Sequence, residues 1–267
     1  MKIGVFDSGF GGLTVLRAML GQIPGADYAY LGDTARLPYG AKSRATVARY
    51  AASSARFLVE EEEAEFLVIA CNTASALALD AIREAVRVPV LGVVETGANA
   101  ADASSTTRDV LVIATAATVE SHAYAAACAE RKMRAIEKAC PLLVPLVEEG
   151  WTQHPVTEEV VRIYMGELME QARAAQLNAD TLVLACTHYP LLRETIERAV
   201  PRQVRVIDSA EVTAQQVAGQ LGVAAAGKSG NPQVEFFATD SVAKFRDLGT
   251  RFLGQAIPAV RLVDLGG

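Results

Sequence analysis

Two stretches of the sequence end in the same pair of residues, an alanine and a cysteine. In "FLVIACNTASALAL" an apolar run leads to Cys71, and in "TLVLACTHYPLL" another leads to Cys186. Each cysteine is followed at once by small polar residues and a pattern typical of a helix. A thiol can act as a nucleophile, or as an acid and a base towards carbon. Two thiols at matching positions therefore predict chemistry that uses both.

The other two cysteines have a different setting. Cys128 lies in an alanine-rich helical stretch and Cys140 stands just before a proline. We expect both to be small buried side chains. The sequence has no C-x-x-C motif, and its histidines (His122, His154 and His188) are widely separated. The ligand spacing of a zinc site is absent, so no metal is expected.

The residues that follow each cysteine favour a reactive thiol. Asn72 and Thr73 open the predicted helix after Cys71. A helix N-terminus stabilises a thiolate, which predicts a lowered thiol pKa, and its free N–H groups can hold a carboxylate. Thr187 and His188 follow Cys186, and a histidine so close can orient or activate that thiol.

A third polar motif, "FDSGFGG", follows the first apolar run. Its glycines miss the third position of G-x-G-x-x-G, and no GK[ST] follows, so a dinucleotide or ATP site is not expected. Asp7 and Ser8 end the run, where a charged group is costly unless it has partners. They can cap a helix, bind a ligand, or do both.

Apolar runs alternate with segments of helical period along the chain, which predicts a parallel α/β fold. The predicted strands are Ile3–Phe6, Tyr28–Leu31, Phe66–Ala70, Pro89–Val93, Val110–Ala114, Leu142–Leu146, Thr181–Ala185, Val204–Ile207, Val234–Phe237 and Val260–Val263.

The two halves of the chain repeat one pattern, which indicates an internal duplication. We predict one α/β domain from residues 1–95 plus 208–267 and a second, similar domain from 96–207, with a linker at 222–233. Ligands of open parallel sheets bind at the carboxyl ends of the strands. A pseudo-symmetric pair of domains with the active site in the cleft between them is therefore expected.

Composition excludes several classes of protein. The chain has 267 residues, is 51% hydrophobic and 21% charged, and carries a net charge of −6. An acidic chain without a Lys/Arg cluster is not expected to bind nucleic acid. No apolar run approaches the ~20 residues of a membrane span, and the start lacks a secretory signal pattern. A cytoplasmic protein is expected.

The number of thiols bears on the type of reaction. One cysteine with a histidine is typical of acyl transfer. Two equivalent thiols suit a different task, in which one removes a proton from carbon and the other returns a proton on the opposite face. The product of that reaction is the mirror image of the substrate.

Longer motifs then resemble a known family. "VFDSGFGGLTVL", "YLGDTARLPYG", "ACNTASA", "ACPLLVPLVEEG" and "LACTHYPLL" are similar to the glutamate racemases of bacterial cell-wall synthesis. The resemblance implies a cofactor-independent racemase that interconverts L- and D-glutamate and supplies D-glutamate for peptidoglycan, and family members are often dimers. The family usually has a glycine where this chain has Ala114.

The resemblance also implies roles for individual residues. Cys71 and Cys186 match the two catalytic acid/bases, Asp7 would assist Cys71, and His188 would assist Cys186. Asp33 and Glu148 match acidic residues near the site. Positions that match substrate contacts are Asp7, Ser8, Tyr39, Gly40, Asn72, Thr73, Thr118, Thr187 and His188.

Two rival functions stay open. The same chemistry could act on aspartate or another acid, because specificity can depend on one or two pocket groups. A non-catalytic two-domain binding protein would need a cleft but no paired thiols. An aspartic protease is excluded, because those enzymes are all-β.

Overall fold

Strands and helices alternate along the chain, as the apolar periodicity predicts. The computed structural model describes residues 1–222 and 232–266. Residues 223–231 of the predicted linker therefore lie outside the described residues.

The described strands, in chain order, are β1 Lys2–Asp7, β2 Asp27–Gly32, β3 Phe66–Ile69, β4 Val90–Gly92, β5 Asp109–Ala114, β6 Arg134–Ala139, β7 Thr181–Ala185, β8 Arg205–Asp208, β9 Val234–Ala238 and β10 Arg261–Leu262. The described α-helices are α1 Leu13–Gln22, α2 Arg44–Arg56, α3 Asn72–Ala85, α4 Val93–Ser104, α5 Ala116–Glu120, α6 Ala123–Glu130, α7 Leu143–Glu148, α8 Pro155–Ala174, α9 Arg193–Ala199, α10 Ser209–Leu221 and α11 Val242–Leu253. Short 3-10 helices span Tyr39–Ala41 and Tyr189–Leu192.

The chain forms two compact units, each built on its own sheet. Met1–Val93 and Ala210–Gly267 make the first, and Val94–Ser209 the second. The first sheet has the order β10-β9-β2-β1-β3-β4 and the second the order β6-β5-β7-β8. Every strand pairing in the described residues is parallel. The predicted fold class, two parallel-sheet α/β units, is confirmed.

Both sheets share one strand order. The first contains β2-β1-β3-β4 and the second is β6-β5-β7-β8. In each sheet the first strand of the repeat, β1 or β5, lies between the second strand, β2 or β6, and the third strand, β3 or β7. β1, β3, β5 and β7 are almost wholly buried, as strands covered on both faces must be. The shared order supports the interpretation of the chain as a duplicated unit.

One predicted strand is wrong. Leu142–Leu146 was expected to be a strand, but Leu143–Glu148 forms helix α7. Pro145 lies in the first turn of this helix, where its missing N–H costs nothing. The true strand is β6, whose sequence RAIEKA carries three charged residues and is only partly buried at the sheet edge. Because an edge strand needs no continuous apolar run, the pattern of apolar runs does not indicate β6.

Gly12, in the motif "FDSGFGG", lies where the start of helix α1 passes close to the ends of β1 and β3. Gly12 is the N-cap of α1. A Cβ added there would stand 2.5 Å from Asp7 Cβ and 2.9 Å from Ala70 Cβ. The glycine therefore lets the start of α1 pack onto the ends of β1 and β3.

No helix in the described part of the chain combines the length and apolar composition of a membrane span.

Substituting Gly12 with alanine should therefore destabilise the fold. The methyl group must displace Asp7 or the start of α1, and such overpacking costs roughly 1–3 kcal/mol. Gly166 is a matched control, because it lies within α8 and an added Cβ would meet nothing within 4 Å. Gly166→Ala should stabilise by roughly 0.5–1 kcal/mol. Urea unfolding of both variants measures the two effects, and equal effects would contradict the steric argument.

Candidate functional site

Cys71 lies where β3 gives way to helix α3. It is the N-cap of α3, and its Sγ accepts a hydrogen bond from the backbone N–H of Ala74 at 3.4 Å. The Ser8 hydroxyl lies 3.4 Å from the same sulfur. The thiol is 5% exposed. The predicted helix start at Asn72 is confirmed, and it aims the first turn of α3 at the thiol.

Asp7 is the last residue of β1, and it caps the next turn rather than a helix. Its Oδ2 accepts the Gly9 N–H at 2.9 Å, the turn that an aspartate makes with the backbone two residues on. Helix α1 has no side-chain cap, so the expected capping of a helix by Asp7 or Ser8 does not occur there. The buried carboxylate is left beside the Cys71 thiol.

The expected lowering of the Cys71 pKa is wrong. Burial and, after it, the charge of Asp7 raise the pKa of Cys71 to about 12, against the opposing effect of the hydrogen bonds with Ser8 and Ala74. The N-terminus of α3 lowers the pKa of the thiol, but by less than burial raises it. Cys71 is therefore a protonated thiol at neutral pH.

Asn72 and Thr73 are the first two residues of α3, and both are buried. Tyr39 and Gly40 lie in the 3-10 helix Tyr39–Ala41 of the same unit. The Tyr39 hydroxyl donates to Asp33 Oδ2 at 2.5 Å. Asp33 Oδ1 also accepts the Thr239 hydroxyl at 2.9 Å, so its carboxylate holds protein groups in place.

Cys186 follows β7 directly and is 5% exposed. His188 Nδ1 lies 4.0 Å from Cys186 Sγ and 3.4 Å from Thr187 Oγ1. His188 Nε2 lies 3.3 Å from Glu148 Oε1, at the end of α7. The imidazole thus stands between a thiol and a carboxylate. The local backbone differs from that of Cys71, because a 3-10 turn at Tyr189–Leu192 precedes α9.

The electrostatics around His188 favour its charged form. Burial opposes the charge, but the hydrogen bonds to Cys186 and Glu148, and the charges on both, raise the pKa of His188 to about 10. The imidazolium is held between the Cys186 sulfur and the Glu148 carboxylate.

Thr115 and Thr118 flank the same strand end. Thr115 follows Ala114 and is the N-cap of α5, while Thr118 is buried within that helix. Their hydroxyl oxygens are 2.9 Å apart.

Strand register shows which residues are equivalent in the two units. Phe6 pairs with Ile69 and Ala114 pairs with Ala185. Extending each register sets Ser8 opposite Cys71 and Thr115 opposite Cys186. The position of Asp7 is thus taken by Ala114 in the second unit. The two thiols have equivalent backbone positions but unlike charged neighbours.

Three further residues support the surroundings of the first thiol, and none of them is among the candidate site residues of the sequence. Gly12 allows α1 to pack on Asp7, the buried Tyr30 hydroxyl donates to the Gly9 carbonyl at 3.2 Å, and Thr239 holds Asp33. A signal existed for Thr239, because it directly follows strand β9. Tyr30 reads as an ordinary buried strand residue, and no pattern marks it.

Cys128 and Cys140 are fully buried, as expected. Burial raises the pKa of Cys128 to about 11 and that of Cys140 to about 12. Neither has a histidine or a helix N-terminus among the hydrogen-bond partners found for its thiol in the described residues.

Comparison with known proteins identifies the family. The family model for Asp/Glu/hydantoin racemases matches residues 3–217. A glutamate racemase of Koribacter versatilis is 53% identical to this chain, over 99% of the chain and 98% of the relative. The chain belongs to the glutamate racemase family.

Solved structures of the glutamate racemase family agree. The Francisella tularensis enzyme in complex with D-glutamate is 35% identical, covers 99% of this chain and 97% of its own, and gives a TM-score of 0.89. The Thermus thermophilus enzyme in complex with beta-chloro-D-alanine is 43% identical, with the same coverage and a TM-score of 0.86. The fold is thus that of glutamate racemases.

The pKa of His188 predicts a pH-dependent contribution to the stability of this family member. Its folded pKa of about 10 exceeds the unfolded value of about 6.5. The imidazolium therefore stabilises the fold fully below pH ~6.5, and that contribution is lost as the pH rises towards 10. Urea unfolding should show the stability of the wild type, relative to His188→Asn, decreasing over this range.

Glu148→Gln is the matched control for that experiment. It keeps the imidazole but removes one of the groups that raise its pKa. The loss of stability should then occur at lower pH than in the wild type. A difference between wild type and His188→Asn that does not change with pH would contradict the charged state assigned to His188.

Proposed function

We propose that this chain interconverts L-glutamate and D-glutamate by proton transfer at Cα, with Cys71 and Cys186 as the two acid/bases. The observation that carries the proposal is the pair of buried cysteines at equivalent strand ends, one beside Asp7 and one beside His188. Membership of the glutamate racemase family and the D-glutamate complex of a relative support glutamate as the substrate.

The neighbours of the two thiols support a division of labour between them. The high pKa of Cys71 suits it to donate a proton. We assign Cys186, which lies beside His188, the role of proton acceptor in the same direction. By the resemblance, Cys186 would take the proton from L-glutamate and Cys71 would take it from D-glutamate.

The proposed step conserves protons. The Cys186 thiolate takes the Cα proton from one face and becomes a thiol, and the electron pair stays on the substrate as a carbanion. The Cys71 thiol gives its proton to the opposite face and becomes a thiolate. The next turnover either runs in reverse or follows exchange of both thiols with solvent. Asp7 would assist Cys71, and His188 with Glu148 would assist Cys186.

Substrate binding is assigned to groups around the two thiols. The first turn of α3, which begins with Asn72 and Thr73, is proposed to hold a substrate carboxylate, because a helix N-terminus favours an anion. The further proposed contacts are Ser8, Tyr39, Gly40, Thr118, Thr187 and His188. Asp33 is assigned a supporting role, because its carboxylate already accepts two side-chain hydroxyls.

The wider setting follows from the family. We infer a bacterial cytoplasmic enzyme that supplies D-glutamate for peptidoglycan, acts as a homodimer, and needs neither nucleic acid nor a membrane partner. The two thiols, with their charged neighbours, supply an acid and a base without a cofactor.

Racemisation assays with cysteine variants test the assignment. Purified wild type should change the optical rotation of L-glutamate and leave L-aspartate nearly unchanged. Cys71→Ala and Cys186→Ala should each lower kcat by at least about 100-fold, because each removes the acid/base of one face. Cys128→Ala and Cys140→Ala are matched controls and should keep turnover. An active Cys186→Ala enzyme would contradict the mechanism, and faster turnover of aspartate would change the substrate.

Deuterium incorporation tests whether two separate thiols act. In deuterated water the donor thiol carries deuterium before the substrate binds. Early product D-glutamate made from L-glutamate should thus carry deuterium at Cα, while the remaining L-glutamate stays almost unlabelled. The reverse direction should give the same asymmetry. Equal labelling of substrate and product from the first turnovers, read by mass spectrometry after chiral separation, would rule out two monoprotic bases.

A further inference from the structure

Arg36 has no part in the proton transfer, yet its side chain is only 10% exposed. Its guanidinium makes three contacts in the first unit. NH1 lies 3.5 Å from Asp33 Oδ2, NH2 donates to the Gly266 carbonyl at 2.5 Å, and Cζ lies 4.6 Å from the centre of the Tyr50 ring. A cation this buried needs partners. NH2 has a hydrogen bond, whereas NH1 meets Asp33 as an ion pair and has no hydrogen-bond partner in the part of the chain that the structure describes.

Asp33 connects Arg36 to the substrate-binding loop. It is fully buried, and its Oδ2 accepts the hydroxyl proton of Tyr39. Its backbone N–H donates to the Asp7 carbonyl at 3.0 Å. Asp33, which Arg36 contacts, is therefore bonded through its carboxylate to the loop that carries Tyr39, and through its backbone to the end of β1.

The Tyr39 hydroxyl has a single proton, and Asp33 accepts it. Tyr39 and Gly40 can then meet a substrate only through groups other than that proton, chiefly their backbone. The position of this backbone depends on where Asp33 holds the tyrosine ring. We propose that Arg36 is a positioning residue that sets the Tyr39–Gly40 loop for glutamate through Asp33. This inference rests on the proposed function.

The segment around Gly266 holds Arg36 from the other side. Val263 and Leu265 pack against the core that contains Ala51, Ala55 and Phe237. The Ser53 hydroxyl donates to the Leu265 carbonyl at 3.3 Å, which ties this segment to α2. This segment lies beyond the residues that the family model matches, 3–217. It completes the set of contacts that orients Arg36 towards Asp33.

Arg36→Gln should raise KM for glutamate about tenfold while kcat stays within about twofold, because a group that aligns a binding loop contributes equally to ground and transition states. L- and D-glutamate have equal free energies, so kcat/KM must fall by the same factor in both directions. Arg49→Gln is the matched control. It removes the other guanidinium near the Tyr50 ring, at 5.0 Å, and should leave KM unchanged. Arg36→Lys, which keeps the charge but loses the planar group, should give an intermediate KM.

A double-mutant cycle separates positioning from general damage to the fold. Tyr39→Phe removes the hydroxyl through which Arg36 is proposed to act. In that background Arg36→Gln should raise KM no further. A fully additive rise, or an unchanged KM in Arg36→Gln alone, would overturn the proposal. If Arg36→Gln does not fold, the same cycle with Arg36→Lys decides.

Calorimetric titration with racemic glutamate keeps this test independent of turnover, because racemisation does not change the composition of a racemic ligand. The Kd should rise in Arg36→Gln by the same factor as KM and stay unchanged in Arg49→Gln. A wild type that binds glutamate without racemising it would contradict the proposed function, while the Kd values would still decide the role of Arg36. A wild type that racemises glutamate, with Kd and KM unaffected by Arg36→Gln, would contradict this inference alone.

Discussion

Burial of the two cysteine thiols is the constraint on which both candidate half-sites depend. Burial and the nearby carboxylate raise the Cys71 pKa from an ordinary 9.0 to about 12, and each pKa unit corresponds to ~1.4 kcal/mol, so the thiolate is disfavoured by about 4 kcal/mol. A helix N-terminus returns only ~0.3–1 kcal/mol in ordinary settings. Burial therefore wins, and α3 positions Cys71 without making it a resting thiolate.

The two units surround their buried thiols with different charged residues, although their backbones correspond. β1 and β3 in one unit, and β5 and β7 in the other, bring a cysteine beside a hydroxyl residue at the same register. The charged neighbour then differs. Asp7 stands beside Cys71 and disfavours its ionisation, whereas His188, supported by Glu148, stands beside Cys186. The repeated unit supplies equivalent positions for the two thiols, and the residues around each thiol give it unlike charged neighbours.

The sequence predicts the parts of this arrangement that burial makes periodic. β1, β3, β5 and β7 are covered on both faces and read as apolar runs, so the fold class and the strand ends that carry Asp7, Cys71 and Cys186 could be predicted. β6 could not, because an edge strand with the sequence RAIEKA has no apolar run. The Cys71 pKa was predicted in the wrong direction because the depth of burial depends on tertiary packing. Residues that support the site through single contacts, such as Tyr30 and Thr239, carry no pattern in the sequence.

Mirror-image reactants add a thermodynamic condition to this asymmetry. L- and D-glutamate have the same free energy in water, so the ratio of kcat/KM in the two directions must equal unity for any racemase and any variant of it. Unlike neighbours for Cys71 and Cys186 cannot favour one enantiomer in that ratio. They can only change how each direction divides between kcat and KM, and which protonation state the free enzyme adopts. A carboxylate beside one thiol and an imidazole beside the other is therefore compatible with a symmetric equilibrium, because an enzyme does not change the equilibrium constant of the reaction that it catalyses.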